Sequence, residues 1–142
     1  MNSSVDFNTL VSMPPGDFTF ALIKPDGYTS RREEILALLS ERGINRRHSV
    51  RTLDALDVRK LYYEHIGKFF YDRNAQFLMS GPSLCMLLTG KDVQRQWRDE
   101  LMPLIREHWG RHNNDPDERH LNLVHGSDSP IAALREVALM IF

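Results

Sequence analysis

An α+β sandwich, with a sheet of about four strands covered by helices, is the fold class this sequence predicts. Two observations carry it. Short apolar runs of strand length alternate with stretches whose apolar residues recur at helical spacing. A chain of 142 residues with 42% hydrophobic and 26% charged side chains also suits one soluble globular domain, able to bury roughly two-thirds of the surface its unfolded form exposes. No internal repeat, low-complexity tract or linker divides it.

The elements follow in order. Residues 1–16 (MNSSVDFNTLVSMPPG) lack a basic start and a long apolar core, so they read as a partly ordered N-terminal tail rather than a signal peptide. Residues 17–142 form the domain. Phe18 to Ile23 is a buried strand closed by a turn at Pro25-Asp26-Gly27. Ser30 with Glu33 has the pattern of a capping box, and Ile35, Leu36, Leu38 and Leu39 then recur at helical spacing until Gly43. Ile44 to Leu53 is extended and basic. Asp57 is expected to cap a helix running to about Ile66, and Phe69 to Met79 is a further helical stretch ended by Gly81-Pro82. Pro82 to Leu88 is a second apolar strand. Asp92 opens a long amphipathic helix carrying Val93, Trp97, Leu101 and Ile105. Arg111 to Glu118 is polar and loop-like, Leu121 to Val124 is a short strand, and Ser129-Pro130 opens the last helix.

Composition narrows the function classes. Eighteen basic and nineteen acidic side chains nearly cancel, so no global field recruits nucleic acid or a membrane surface. The single cysteine, Cys85, excludes an intrachain disulfide framework and fits a reducing compartment; its apolar neighbours make it a small core residue. No run reaches the length of a membrane span, and a cytoplasmic location is expected.

Chemistry concentrates near the C-terminus. Asn122-Leu123-Val124-His125-Gly126-Ser127-Asp128-Ser129-Pro130 offers a histidine on a tight Gly-Ser turn just before a helix. Imidazole is a nucleophile at neutral pH without prior ionisation, and a helix N-terminus favours phosphate. Neither Gly-x-x-x-x-Gly-Lys-Ser/Thr nor Gly-x-Gly-x-x-Gly occurs, so side chains must hold any phosphate. Lys24 ends the first strand, where the following turn sets its direction; in isolation it would read as an ordinary solvated lysine.

Ile23-Lys24-Pro25-Asp26-Gly27, Met79-Ser80-Gly81-Pro82 and the His125 segment occur in that order. Together they resemble the nucleoside diphosphate kinase family, over roughly residues 17 to 142. The resemblance implies a ferredoxin-like sandwich with a four-stranded antiparallel sheet. It implies that His125 takes the γ-phosphoryl of a nucleoside triphosphate and hands it to a diphosphate. By the same matching, Lys24 contacts the transferred phosphoryl, Tyr62 lies near it, Phe70 stacks on the base and Asn122 contacts the sugar. Arg98 binds phosphate, while Ser127 and Glu136 position the histidine. Mg²⁺ on the nucleotide would share in neutralising charge. Stacking on Phe70 predicts little base selectivity, since every base has a π-face.

The match breaks between Arg98 and Asn122. Glu100-Leu101-Met102-Pro103 runs straight into Leu104-Ile105-Arg106-Glu107-His108-Trp109-Gly110, without the family's Gly-Pro-Thr segment. A phosphate-contacting threonine is therefore missing, and loss of one donor costs on the order of 10²–10³ in rate. Arg106 is the preferred second phosphate arginine, from the local Arg-x-x-aromatic-Gly pattern; Arg111, nearer His125 in spacing, is the alternative. The rebuilt loop favours a dimer at least over the family's larger assemblies. The runner-up function is a catalytically weak or inactive nucleotide-binding or interaction module on the same fold. His108 and His112 stand four apart, but Trp109 and Gly110 break the zincin pattern, so no protein-held metal is expected. Arg46-Arg47-His48 with Arg51 reads as a strand guarded against edge pairing rather than a nucleic-acid surface.

Overall fold

The computed structural model describes residues 5–110 and 122–142. Its sheet is built from β1 (Phe18–Ile23), β2 (Asn45–Arg51), β3 (Ser83–Thr89) and β4 (Val124–Gly126). The strand order is β2-β3-β1-β4 and every neighbouring pair is antiparallel. This is the expected α+β, ferredoxin-like sandwich. All residues of β1 and β3 are buried, because helices cover both faces of the two central strands.

Alternation along the strands sorts the core into two sets. Ala21 and Ile23 with Leu84, Met86 and Leu88 pack against Ile35, Leu39, Trp97, Leu101 and Ile105. Phe20, Leu22, Cys85 and Leu87 face the other way, onto Val58, Leu61, Leu78, Ala133 and Val137. Leu10, on the short helix α1 (Phe7–Val11), is fully buried in this second set.

Several local expectations shift, each for an identifiable reason. Pro25-Asp26-Gly27 is not a free turn but the start of α2 (Pro25–Ser30), with Lys24 as its N-cap and proline where no N–H is needed. Gly27 is required there, since a Cβ would lie 2.8 Å from the Leu123 carbonyl oxygen. Ser30 does not cap the next helix, α3 (Arg32–Glu41). It is still inside α2, so its hydroxyl donates to the Asp26 carbonyl at 2.6 Å. The helix expected to start at Asp57 is α4 (Ala55–Leu61), capped by Asp54 instead. Asp57 sits at its third position, and the two side chains close a reciprocal capping box at 2.8 and 3.0 Å. A 3₁₀ turn (Tyr63–His65) follows, then α5 (Tyr71–Met79).

The long helix from Asp92 is broken in register. α6 (Val93–Arg95) passes into a π-helical stretch, Gln96–Leu101, before α7 (Met102–Trp109). The Met102 N–H donates five residues back, to Trp97 O, and Pro103, which has no N–H, follows immediately. Finally, α8 (Pro130–Met140) begins as expected, with the Ser129 hydroxyl accepting from the Ala132 N–H.

His125 lies within β4, opposite Leu22 of β1, rather than on the turn that follows. Pairing with β1 explains this: Gly126, opposite Ala21, extends the strand because the residue must be small. A Cβ on Gly126 would stand 2.6 Å from Met102 Sδ and 2.7 Å from Trp97 Cδ1. Gly126→Ala is therefore expected to destabilise the protein by about 1–3 kcal/mol through overpacking, seen as a lower urea midpoint with an unchanged m-value.

Candidate active site

The approach to His125 is strained. Val124 N–H donates to Asn122 O at 2.8 Å while Leu123 holds φ at +72°, which is a γ-turn of the rare positive-φ kind. Such a conformation costs on the order of 1–3 kcal/mol and persists only where neighbours hold it. Here Lys24 N–H donates to Leu123 O at 2.8 Å, and the Asp26 carboxylate accepts from Leu123 N–H at 3.2 Å. One residue beyond, the Trp97 indole N–H reaches His125 O at 3.2 Å, through the space that Gly126 leaves free.

The imidazole is fixed from the opposite side. Its Nε2 lies 2.7 Å from Oε1 of Glu136, a carboxylate only 3% exposed on α8. A carboxylate accepts and cannot donate, so Nε2 carries the proton and Nδ1 keeps a lone pair. Nδ1 makes no hydrogen bond among the described residues. Ser127 does not join this pair: its hydroxyl donates to Phe20 O at 3.4 Å, tying the end of β4 to β1.

His125 and Glu136 line a cleft of about 440 Å³, together with Tyr62, His65, Arg98, Arg106 and Arg135. Arg106 is partly buried and without a carboxylate partner among the described residues; its Nη2 donates to Val124 O at 2.9 Å and its Nε is buried and unbonded. Burial, with Arg98 nearby, weakens its hold on the proton without neutralising it. Arg98 is paired with Asp128 at 2.6 Å, but both side chains are largely exposed, so the pair is exchangeable. Of the two arginines considered for the second phosphate contact, Arg106 stands in the cleft; Arg111 lies outside the described residues, as does the polar stretch around it.

Lys24, Asn122, Phe70 and Ser127 are not in the wall of this cleft. Lys24 and Asn122 are brought together beside the strand that carries His125, Nζ donating to Oδ1 at 2.7 Å. Lys24 is 5% exposed, and burial first, then the charge of Arg106, push its pKa down to about 8 against the pull of Asp26.

Tyr62 packs its ring at 5.1 Å from that of His125. Its hydroxyl is buried without a well-formed hydrogen bond, Asn74 being near enough only to favour ionisation slightly. Burial, then Glu136, push the phenol pKa well up, so Tyr62 stays neutral. From Tyr62 a chain of ring contacts runs outward through His65 at 6.2 Å to Phe70, 5.5 Å further on. Phe70 is 40% exposed and stands at the outer end of this line of rings, beyond the residues that line the cleft. His65, Asp128 and Arg135 are cleft residues that sequence reasoning missed. His65 and Arg135 belong to no motif, whereas Asp128 stood in the histidine motif with no role given.

A carboxylate-held histidine facing arginines, on a β2-β3-β1-β4 antiparallel sheet, makes this an α+β domain whose cleft suits an anionic substrate. A family model for nucleoside diphosphate kinase matches residues 17–142, and the chain belongs to that family. It is 34% identical over 132 residues to a nucleoside diphosphate kinase of Listeria innocua, covering 85% of this chain and 86% of that one. It is also 34% identical to nucleoside diphosphate kinase 6 of Rattus norvegicus, with 84% of this chain and 74% of the relative covered. Among solved structures, a halophilic nucleoside diphosphate kinase from Halobacterium salinarum in complex with CDP superposes with a TM-score of 0.74 at 30% identity, covering 88% of this chain and 87% of that one.

The buried ammonium has a thermodynamic signature. Because folding lowers the Lys24 pKa from 10.5 to about 8, its contribution to stability is full above the unfolded value and is lost as pH falls through about 8. The unfolding free energy of the wild type, measured relative to Lys24→Met, should therefore rise by about 3 kcal/mol between pH 7 and pH 11. A flat difference across that range would show that Lys24 is not held in a charge-disfavouring site.

Proposed function

We propose that this chain moves the terminal phosphoryl group of a nucleoside triphosphate to a nucleoside diphosphate through a phosphohistidine at His125. The observation that supports the reading best is the 2.7 Å contact of Nε2 with Glu136, which leaves Nδ1 as the nucleophile in a cleft containing three arginines. Family membership supports nucleotide phosphotransfer in general.

In the first half-reaction, the Nδ1 lone pair forms an N–P bond while the bond from γ-phosphorus to the bridging oxygen breaks. The electron pair leaves with the diphosphate. In the second, a terminal oxygen of the acceptor diphosphate attacks the same phosphorus, and the N–P pair returns to Nδ1. Nε2–H stays on the ring throughout. Its bond to Glu136 stabilises the positive imidazole that develops as phosphorus is bound. Arg106 and Arg98 neutralise equatorial oxygens, Arg98 by exchanging Asp128 for phosphate. Lys24 and Asn122, beside the strand that carries the histidine, serve the phosphoryl and sugar side.

Among the described residues no group of three or more His, Cys, Asp or Glu side chains is placed to hold a metal ion. Mg²⁺ would come with the phosphates of the nucleotide and supply charge neutralisation there. Stacking on Phe70 holds the base with little selectivity of its own. The active form is a dimer at least. No helix among the described residues is long and apolar enough to cross a membrane.

Incubation with Mg²⁺ and γ-labelled ATP should give acid-labile label that a nucleoside diphosphate removes. His125→Ala should take none; equal label on that variant, or none on the wild type, sinks the mechanism. Arg106→Met should lower kcat by about 10²-fold while leaving the urea midpoint close to wild type, because it removes one charge donor to the transition state.

A further inference from the structure

The Lys24-Pro25-Asp26-Gly27 segment closes around the strained turn that leads into His125. Leu123 has both of its backbone polar groups taken by the start of α2. Its carbonyl oxygen accepts from Lys24 N–H at 2.8 Å, and its N–H donates to Asp26 Oδ2 at 3.2 Å. Gly27 completes the socket, because a Cβ there would lie 2.8 Å from the same carbonyl oxygen. Lys24 also reaches one residue back, its Nζ donating to Asn122 Oδ1 at 2.7 Å. Of the two bonds to the Leu123 backbone, one is made by a side chain, that of Asp26.

The Asp26 carboxylate stands where charge is disfavoured. Burial raises its pKa, while the Gly27 amide, the charge of Lys24 and the Leu123 amide pull the other way. Its Oδ1 is buried without a well-formed hydrogen bond among the described residues. A first-turn carboxylate serves a helix from solvent, so a place in the six-residue α2 does not account for this burial. The bond to Leu123 does. Leu123 holds φ at +72°, a conformation that a leucine keeps only while its neighbours impose it. The next two residues carry the site: Val124 O accepts from Arg106 Nη2 at 2.9 Å, and His125 bears the imidazole. If Leu123 relaxes, the anchor of Arg106 and the strand of the nucleophile move together.

We propose that Asp26 is a positioning residue for phosphoryl transfer: by holding the Leu123 N–H it keeps the strained turn in place, and through that turn it sets His125 and Arg106 relative to one another. This rests on the phosphotransfer reading above and adds to it a group that acts on the reacting histidine from two residues away.

Two variants of the full chain separate this role from one of charge. Asp26→Ala removes both the charge and the acceptor; Asp26→Asn removes the charge and keeps a carbonyl oxygen for the Leu123 N–H. Single-turnover phosphoenzyme formation from γ-labelled ATP and Mg²⁺ gives the rate and the apparent affinity, and amide exchange followed by NMR gives the protection of Leu123 and Val124. Asp26→Ala should lower the rate by about 10-fold, because a strained residue is no longer held. Its apparent affinity for ATP should stay within about twofold of wild type, and protection at the two amides should be lost. Asp26→Asn should keep the protection and a rate within about threefold of wild type. Glycine takes positive φ without penalty, so in a Leu123→Gly background the Asp26→Ala loss should shrink to about twofold. Equal losses in the Ala and Asn variants, no loss in either, or a loss of unchanged size in the Leu123→Gly background overturn the proposal. If Leu123→Gly does not fold, the Ala and Asn comparison decides alone. An unprotected Leu123 amide in the wild type overturns the proposal outright. A wild type that forms no phosphoenzyme overturns the kinase reading instead; protection kept in Asp26→Ala then shows that Asp26 does not hold the turn.

Discussion

The hydrogen bond from His125 Nε2 to Glu136 is the contact around which the site is organised. It joins an edge strand to the last helix, and neither group could be left alone. Glu136 is almost fully buried, and a buried carboxylate without a donor is strongly disfavoured. The helix that carries it is seated by Ala133, Val137 and Met140 in the core, so apolar packing decides where the carboxylate stands. The strand that carries His125 is pinned independently, by pairing with β1 and by the indole of Trp97 on its carbonyl. Two rigid supports thus meet at one imidazole, and the ring has one tautomer, with Nδ1 unbonded among the described residues.

Around that ring the fold tolerates features that each weaken it. Leu123 is held at positive φ, Lys24 is buried as a cation whose pKa is pushed down to about 8, and Arg106 is half-buried with no carboxylate partner among the described residues. All three lie beside the same strand. The central strands with their two-sided apolar core supply the stability against which this local cost is set. What results is a concentration of positive charge next to a nucleophilic nitrogen. That is an environment suited to an anion with several oxygens.

Legibility from sequence followed the range of the interaction. The buried strands were legible because uninterrupted runs such as Phe18–Ile23 leave little choice, and α8 was legible from Ser129-Pro130. Caps were less so. Asp54 and Asp57 both have a carboxylate within reach of free N–H groups, and only the path of the backbone decides which is the cap. Ser30 had the right partner at Glu33 but lies in the preceding helix. The π-helical stretch at Gln96–Leu101 left no mark in an apolar spacing that stays close to helical. Within the site, His125 and Lys24 stood out by motif, whereas His65 and Arg135 became visible only when a turn and a helix brought them to one wall.

By itself, the sequence determined the family, the α+β class and the order of the main strands and helices, and it singled out the His125 motif. These depend on local pattern, on residues adjacent in the chain, or on motifs in order. The tertiary structure decided everything that needs two distant segments at one point. It set the tautomer of His125 through Glu136 and placed Arg106 in the cleft, bonded to Val124 O. It moved Ser127 away from the histidine and onto Phe20, and it placed His65 in the aromatic wall. The reason is physical: a hydrogen bond, a desolvation cost or a ring contact depends on separations of a few ångströms in space, and those arise only once the core has packed.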